Sequence, residues 1–108
     1  MPRYLIQVAY TPEAVAALTT RPENRAQALG RLMENLDGRL LSLDFCFGEY
    51  DVVGIFEAPD ETTAAAVSLA AVSPGHLKAI KTTPLLSVEQ AMEAMRKAGS
   101  QTYRAPGQ

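Results

Sequence analysis

Two apolar segments, Arg39 to Phe47 (RLLSLDFCF) and Asp51 to Ala58 (DVVGIFEA), are separated only by Gly48-Glu49-Tyr50. A link that short joins strands running in opposite directions, because a parallel pair needs a crossover of a dozen or more residues. The hairpin therefore sits at the centre of the chain, and whatever lies on either side must be built around it. On the N-terminal side, Tyr4 to Tyr10 (YLIQVAY) alternates as a strand, with Tyr4, Ile6, Val8 and Tyr10 on one face. Thr11-Pro12-Glu13 then reads as a helix cap followed by proline at the first helical position, opening a short Ala-rich turn through Leu18. A second helix start follows at Thr20-Arg21-Pro22-Glu23. Behind it, Ala26, Leu29, Met33 and Leu36 recur at helical spacing until Asp37-Gly38 stops the run.

The C-terminal side mirrors this order. Asp60 is placed to cap a helix from Glu61 to about Val72, Ser73-Pro74-Gly75 turns the chain, and His76 to Thr82 reads as a fourth strand. Ser87 and Gln90 have capping-box spacing, and the helix they begin carries Val88, Ala91, Met92 and Met95 on one side. All seven prolines fall outside the expected helix and strand interiors. The order βαββαβ plus a last helix predicts an α+β fold of the ferredoxin-like kind. Its elements are a four-stranded antiparallel sheet with helices on one face and an extra C-terminal helix. One domain over residues 1–99 accounts for this, leaving 100–108 as a polar tail.

The second face of that sheet draws on Leu5, Ala9, Leu40, Val52, Phe56 and Leu77 beside Gln7, Ser42 and Asp44. An apolar sheet face of that extent asks for a cover, and a second copy of the chain supplies one, so a homo-oligomer is expected. The rival is the C-terminal helix folding back over the face. Composition narrows the other partners. Net charge is -2, which lacks the basic stripe that binding nucleic acid requires. The chain has no run long enough to span a bilayer and no signal-peptide pattern after Met1, so the cytoplasm and no membrane partner are expected. The single cysteine, Cys46, excludes an internal disulfide and fits a reducing compartment.

The stretch Phe47-Gly48-Glu49-Tyr50-Asp51-Val52-Val53-Gly54-Ile55-Phe56-Glu57-Ala58-Pro59-Asp60 resembles the defining motif of the GYD-domain family. That motif is a Gly-x-Tyr-Asp turn leading into an apolar strand that ends in Glu-Ala-Pro-Asp. The opening strand, the Arg21-Pro22-Glu23-Asn24-Arg25 helix start and Thr82-Thr83-Pro84 extend the likeness from about residue 3 to residue 96. The resemblance implies a relative of the dimeric α/β-barrel superfamily, whose ferredoxin-like subunits pair sheet to sheet. It supplies no catalytic residues, and superfamily members divide among cofactor-free monooxygenases, isomerases, lyases and ligand-binding modules.

Tyr50 and Asp51 are the first candidates for a site. Turn chemistry explains them, with Gly48 in an unusual backbone angle and Asp51 bonding nearby amides; a phenol and a carboxylate at a pocket mouth is the functional alternative. His76 is the only histidine and so the only side chain that titrates unperturbed near neutrality. After Pro74-Gly75 it is expected at the surface. Gln7, Ser42 and Asp44 are candidates as polar groups set in an apolar face, needing partners from a ligand, water or a second subunit. Gly54 marks a bulge or a close approach to the backbone, and Glu57 belongs with the strand end. Cys46 reads as a small buried thiol, and Met92 and Met95 as core. One Cys and one His far apart match no metal-ligand spacing, so no metal and no cofactor are expected. These residues suit three functions: a homo-oligomer binding a small molecule at the sheet, a cofactor-independent oxygenase or isomerase, or a structural assembly module.

Overall fold

The sheet of the computed structural model, which describes all 108 residues, has the strand order β2-β3-β1-β4 with every neighbouring pair antiparallel. The strands are β1 (Arg3–Tyr10), β2 (Arg39–Phe45), β3 (Val52–Glu57) and β4 (Leu77–Leu85). The helices are α1 (Pro12–Thr20), α2 (Arg25–Asn35), α3 (Glu61–Val72) and α4 (Val88–Gly99). This is the α+β, ferredoxin-like arrangement that the order of elements requires, with α2 laid against β2 and α3 against β4.

Each helix begins where a side chain accepts an otherwise unpartnered amide. Thr11 Oγ1 accepts from Ala14 N at 3.2 Å, Asn24 Oδ1 from Gln27 N at 3.1 Å, and Asp60 Oδ1 from Thr63 N at 2.8 Å. Ser87 and Gln90 complete a reciprocal capping box at α4. The core lies between sheet and helices. Tyr4, Ile6, Val8 and Tyr10 of β1 meet Met33 of α2, Val52 and Phe56 of β3, and Ala64 and Val67 of α3. Tyr4 stacks on Phe56 with ring centroids 5.4 Å apart.

Register corrects the expected second face. Tyr4, Phe56 and Leu40 lie directly opposite one another across β1, β3 and β2, so all three share the helix-facing side, and Val52 opposes Val8 on that side. For Leu40 the cause is an irregularity in β2 between Leu40 and Ser42, which inserts Leu41 as an unpaired residue, while Val52 and Phe56 are placed by their pairing with Val8 and Tyr4 of β1. Strict alternation through β2 cannot anticipate it. Leu77 also packs against the core. What remains away from the helices is mixed: Leu5, Ile55, Ser42 and Thr83 form one cross-strand row, and Gln7, Val53, Asp44 and Lys81 the next. Gly54 sits where a side chain would not fit, because an added Cβ would approach the Ser42 carbonyl oxygen at 2.7 Å and Leu43 Cδ1 at 2.9 Å.

Other expectations also change. β2 stops at Phe45, and Phe47 is 98% exposed in the turn rather than on an apolar strand face. β4 runs on to Leu85, so Pro84 lies inside a strand. It is tolerated there because β4 is an edge and the missing N–H faces no further strand. Met92 and Met95, read as core, are 48% and 68% exposed. Helix α4 makes no extensive packing with any other element of its chain and does not fold back over the sheet. The radius of gyration is accordingly 17.4 Å and the longest axis 58 Å, whereas a compact chain of this length has a radius of roughly 13 Å.

Candidate functional site

Between the sheet and helices α2 and α3 lies a chamber of about 150 Å³. Its walls are mostly apolar and include Ile6, Val8, Leu29, Leu32, Leu43 and Val52. Toward α1 lies a wider cleft of about 800 Å³, bordered by Ala14, Leu18, Arg21 and Glu23. Both spaces share four wall residues: Tyr10, Arg25, Pro74 and His76. The local sequence explains why these converge. Tyr10 ends β1, Arg25 opens α2 directly after its Asn24 cap, and Pro74-Gly75 turns the chain back so that His76 precedes β4 beside Tyr10. The backbone holds that junction, since Thr11 N donates to the His76 carbonyl at 3.0 Å.

The Tyr10 and His76 rings stack with centroids 6.1 Å apart and an interplanar angle of 27°. Burial lowers the pKa of His76, and the positive charge of Arg25 adds to the shift. The imidazole is therefore neutral at neutral pH. Arg25 Nη1 donates to Glu23 Oε1 at 2.7 Å. Burial works against the guanidinium charge, but the hydrogen bond to Glu23 and the nearby Tyr10 hydroxyl outweigh it, and the pKa of Arg25 is raised. The site thus combines a permanent cation, a neutral imidazole and a phenol at the lip of an apolar chamber.

A pH dependence follows from the His76 shift. A depressed folded-state pKa means that the unfolded chain binds a proton more readily. This contribution to stability is complete above the ordinary histidine pKa of about 6.5 and is lost as pH falls through that value toward the lower folded one. Urea unfolding midpoints measured from pH 5 to 8 should fall on acidification in this window for the wild type. His76→Phe should flatten that part of the profile, and parallel profiles for the two proteins would contradict the assignment.

The sequence-derived candidates separate into three places. His76 joins the site, half-buried rather than on the surface as its position after a turn suggests. Tyr50 and Asp51 line neither space. They belong to the turn, where Gly48 has φ of 127°, the Cys46 thiol contacts the Tyr50 carbonyl at 3.2 Å, and Asp51 Oδ2 accepts from Tyr10 N at 2.8 Å. Cys46 is half-buried rather than fully enclosed. Gln7, Ser42 and Asp44 share the sheet face away from the helices, as read from the sequence, but line neither space, and Ser42 and Asp44 are exposed on the edge strand. Glu57 pairs with Arg39 across the β2–β3 ladder at 3.1 Å. Sequence reasoning missed Tyr10 and Arg25. The Arg21-Pro22-Glu23-Asn24-Arg25 segment stands out as a helix start, yet its charges give no sign of meeting the end of β1. No group of three or more His, Cys, Asp or Glu is arranged to hold a metal ion, and no helix is long and apolar enough to cross a membrane.

Comparison with known proteins agrees with this architecture. The GYD domain family model matches residues 4–95. Among solved structures, the chain is similar to the crystal structure of TTHA0845 from Thermus thermophilus, with a TM-score of 0.53 and 16% sequence identity over 82% of this chain and 96% of that one. At that identity the likeness concerns the fold. No curated protein matches the chain.

Proposed function

The chain belongs to the GYD domain family, and on that footing we propose that it is a homo-oligomer binding a small molecule between its sheet and helices. The observation that carries this reading is the apolar chamber whose lip gathers Tyr10, Arg25 and His76. A concave apolar space with a few convergent polar groups, one of them with a shifted pKa, is the usual form of a ligand site. The proposed ligand site lies on the helix side of the sheet, away from Gln7, Ser42 and Asp44.

Self-association is supported by helix α4. Val88, Met92 and Met95 leave an apolar stripe in solvent, and Leu86 just before the helix is exposed as well. A helix of 12 residues is marginal alone in water, even with a good cap. Its stripe therefore needs a surface to cover, and the half-covered sheet face bearing Leu5, Val53 and Ile55 needs one too. A second copy of the chain meets both needs at once.

The enzyme reading, a cofactor-independent oxygenase or isomerase, rests on one specific observation. His76 is a neutral imidazole beside a phenol at a cavity, a state in which it can accept a proton. Tyr50 and Asp51, which line neither space, drop out of that reading. Native mass spectrometry of freshly purified protein tests the proposal. An oligomer carrying a reproducible extra mass of small-molecule size is the expected result. A bare monomer across the micromolar range would overturn it.

A further inference from the structure

We infer that the ligand of this site is a monoanion built on a single six-membered ring, its ring held in the chamber and its carboxylate at Arg25. The inference rests on the binding reading above and deepens it. Size is the first argument. An enclosed apolar protein cavity of about 150 Å³ takes up benzene, and the chamber here, which is open at its lip, has a volume of about 150 Å³. Its walls match that occupant, with Ile6, Val8, Leu29, Leu32, Leu43 and Val52 offering no polar side-chain atom.

Charge is the second argument. The side chains bordering the two spaces include two permanent cations, Arg21 and Arg25, and a single carboxylate, Glu23. His76 contributes no charge of its own, because burial and the neighbouring guanidinium hold it neutral. A cationic ligand would meet net repulsion at this lip, while an anion would meet net attraction.

Geometry is the third argument. Arg25 belongs to the wall of both spaces, so a group extending from the chamber into the cleft lies beside it. Its Nη1 is engaged by Glu23 at 2.7 Å, but a guanidinium has five N–H donors in a planar fork and can hold a second carboxylate. Glu23 is exposed and so can swing away. Tyr10 supplies a phenol beside Arg25, able to donate to the same carboxylate. The wide outer cleft leaves room for substituents on the ring.

The test is a ¹H–¹⁵N titration of the full chain with benzene, benzoate, benzamide and benzylamine. These probes share one ring and differ in polarity and charge. Benzoate should shift the amides of Tyr10, Arg25, Leu29 and His76 and bind about 10-fold or more tightly than benzamide, with benzylamine weakest. In Arg25→Gln the preference for benzoate over benzamide should vanish while benzene still binds. Equal affinities for benzoate and benzamide in the wild type would overturn the anion assignment and leave the chamber reading standing. A benzoate preference that survives Arg25→Gln would overturn the role of Arg25. If none of the four probes perturbs the chamber residues, the binding reading fails with it. Should Arg25→Gln not fold, the wild-type series decides alone, because the order benzoate, benzamide, benzylamine already separates the alternatives.

Discussion

Replacing Phe56 with alanine is expected to lower the stability of the chain by about 3–5 kcal/mol, the range for removing a fully buried aromatic ring. Phe56 is 0% exposed, stacks on Tyr4 at 5.4 Å, and stands opposite Leu40 in the neighbouring strand. Its ring therefore closes the core where β1, β3 and β2 meet. Single domains are stable by only about 5–15 kcal/mol, so the variant should unfold at markedly lower urea concentration or fail to fold at 37 °C. Phe56→Leu keeps most of the apolar volume and should cost less. Urea unfolding followed by circular dichroism gives both values. A loss below about 1 kcal/mol for Phe56→Ala would mean that β3 is turned over, with Phe56 on the face away from the helices.

That alternative is the phase of β3 expected from the sequence alone. In a strand, a shift of one residue moves every side chain to the opposite face. An unbroken period of two through β2 assigns Leu40 to the second face with Ser42 and Asp44, whereas the faces of Val52 and Phe56 depend on the phase of β3 against β1. The unpaired Leu41 breaks that period. Nothing in Leu40-Leu41-Ser42 announces a bulge, since all three residue types are ordinary in strands, and the partners that fix the register, Ile55 and Phe56, lie beyond the hairpin turn. By contrast, the elements themselves are legible wherever local chemistry suffices. Asp60 caps α3, Ser87 and Gln90 box α4, and the short Gly48-Glu49-Tyr50 link makes the hairpin antiparallel.

The site is less legible, for a physical reason. Tyr10, Arg25 and His76 come from three separate segments, and only the sheet topology places the end of β1 beside the start of β4. His76 is visible as a residue type but not as a half-buried neutral one, because its burial depends on Tyr10 and on the α2 start. Met92 and Met95 show the opposite limit. Helical spacing identifies an apolar face correctly, but spacing says nothing of what the face meets, and within this chain α4 packs extensively on no other element.

The second large effect is expected at Asp51, and it explains what the turn contributes to the site. The β1–β3 ladder ends where Val8 stands opposite Val52, so the Tyr10 amide on that side has no strand partner. Asp51 Oδ2 accepts that amide at 2.8 Å, while the backbone of Asp51 bonds to Val8 O and Cys46 N, each at 2.8 Å. One residue thus ties together the end of β1, the end of β2 and the start of β3. Asp51→Ala removes the acceptor and leaves a partly buried N–H unpaired, at a cost of about 1.5–3 kcal/mol for a bond to a charged group. Asp51→Asn keeps an acceptor oxygen without the charge and should lose less. Because Tyr10 is also a wall of the chamber, the alanine variant should shift the amide resonances of Tyr10 and His76, and asparagine should shift them less. Equal losses for the two variants would assign the effect to charge alone. No loss in either would remove Asp51 from any structural role. The expected ranking, wild type above Asp51→Asn above Asp51→Ala, makes this carboxylate a positioning group that holds Tyr10 where a ligand would meet it, from a turn that lines neither the chamber nor the cleft.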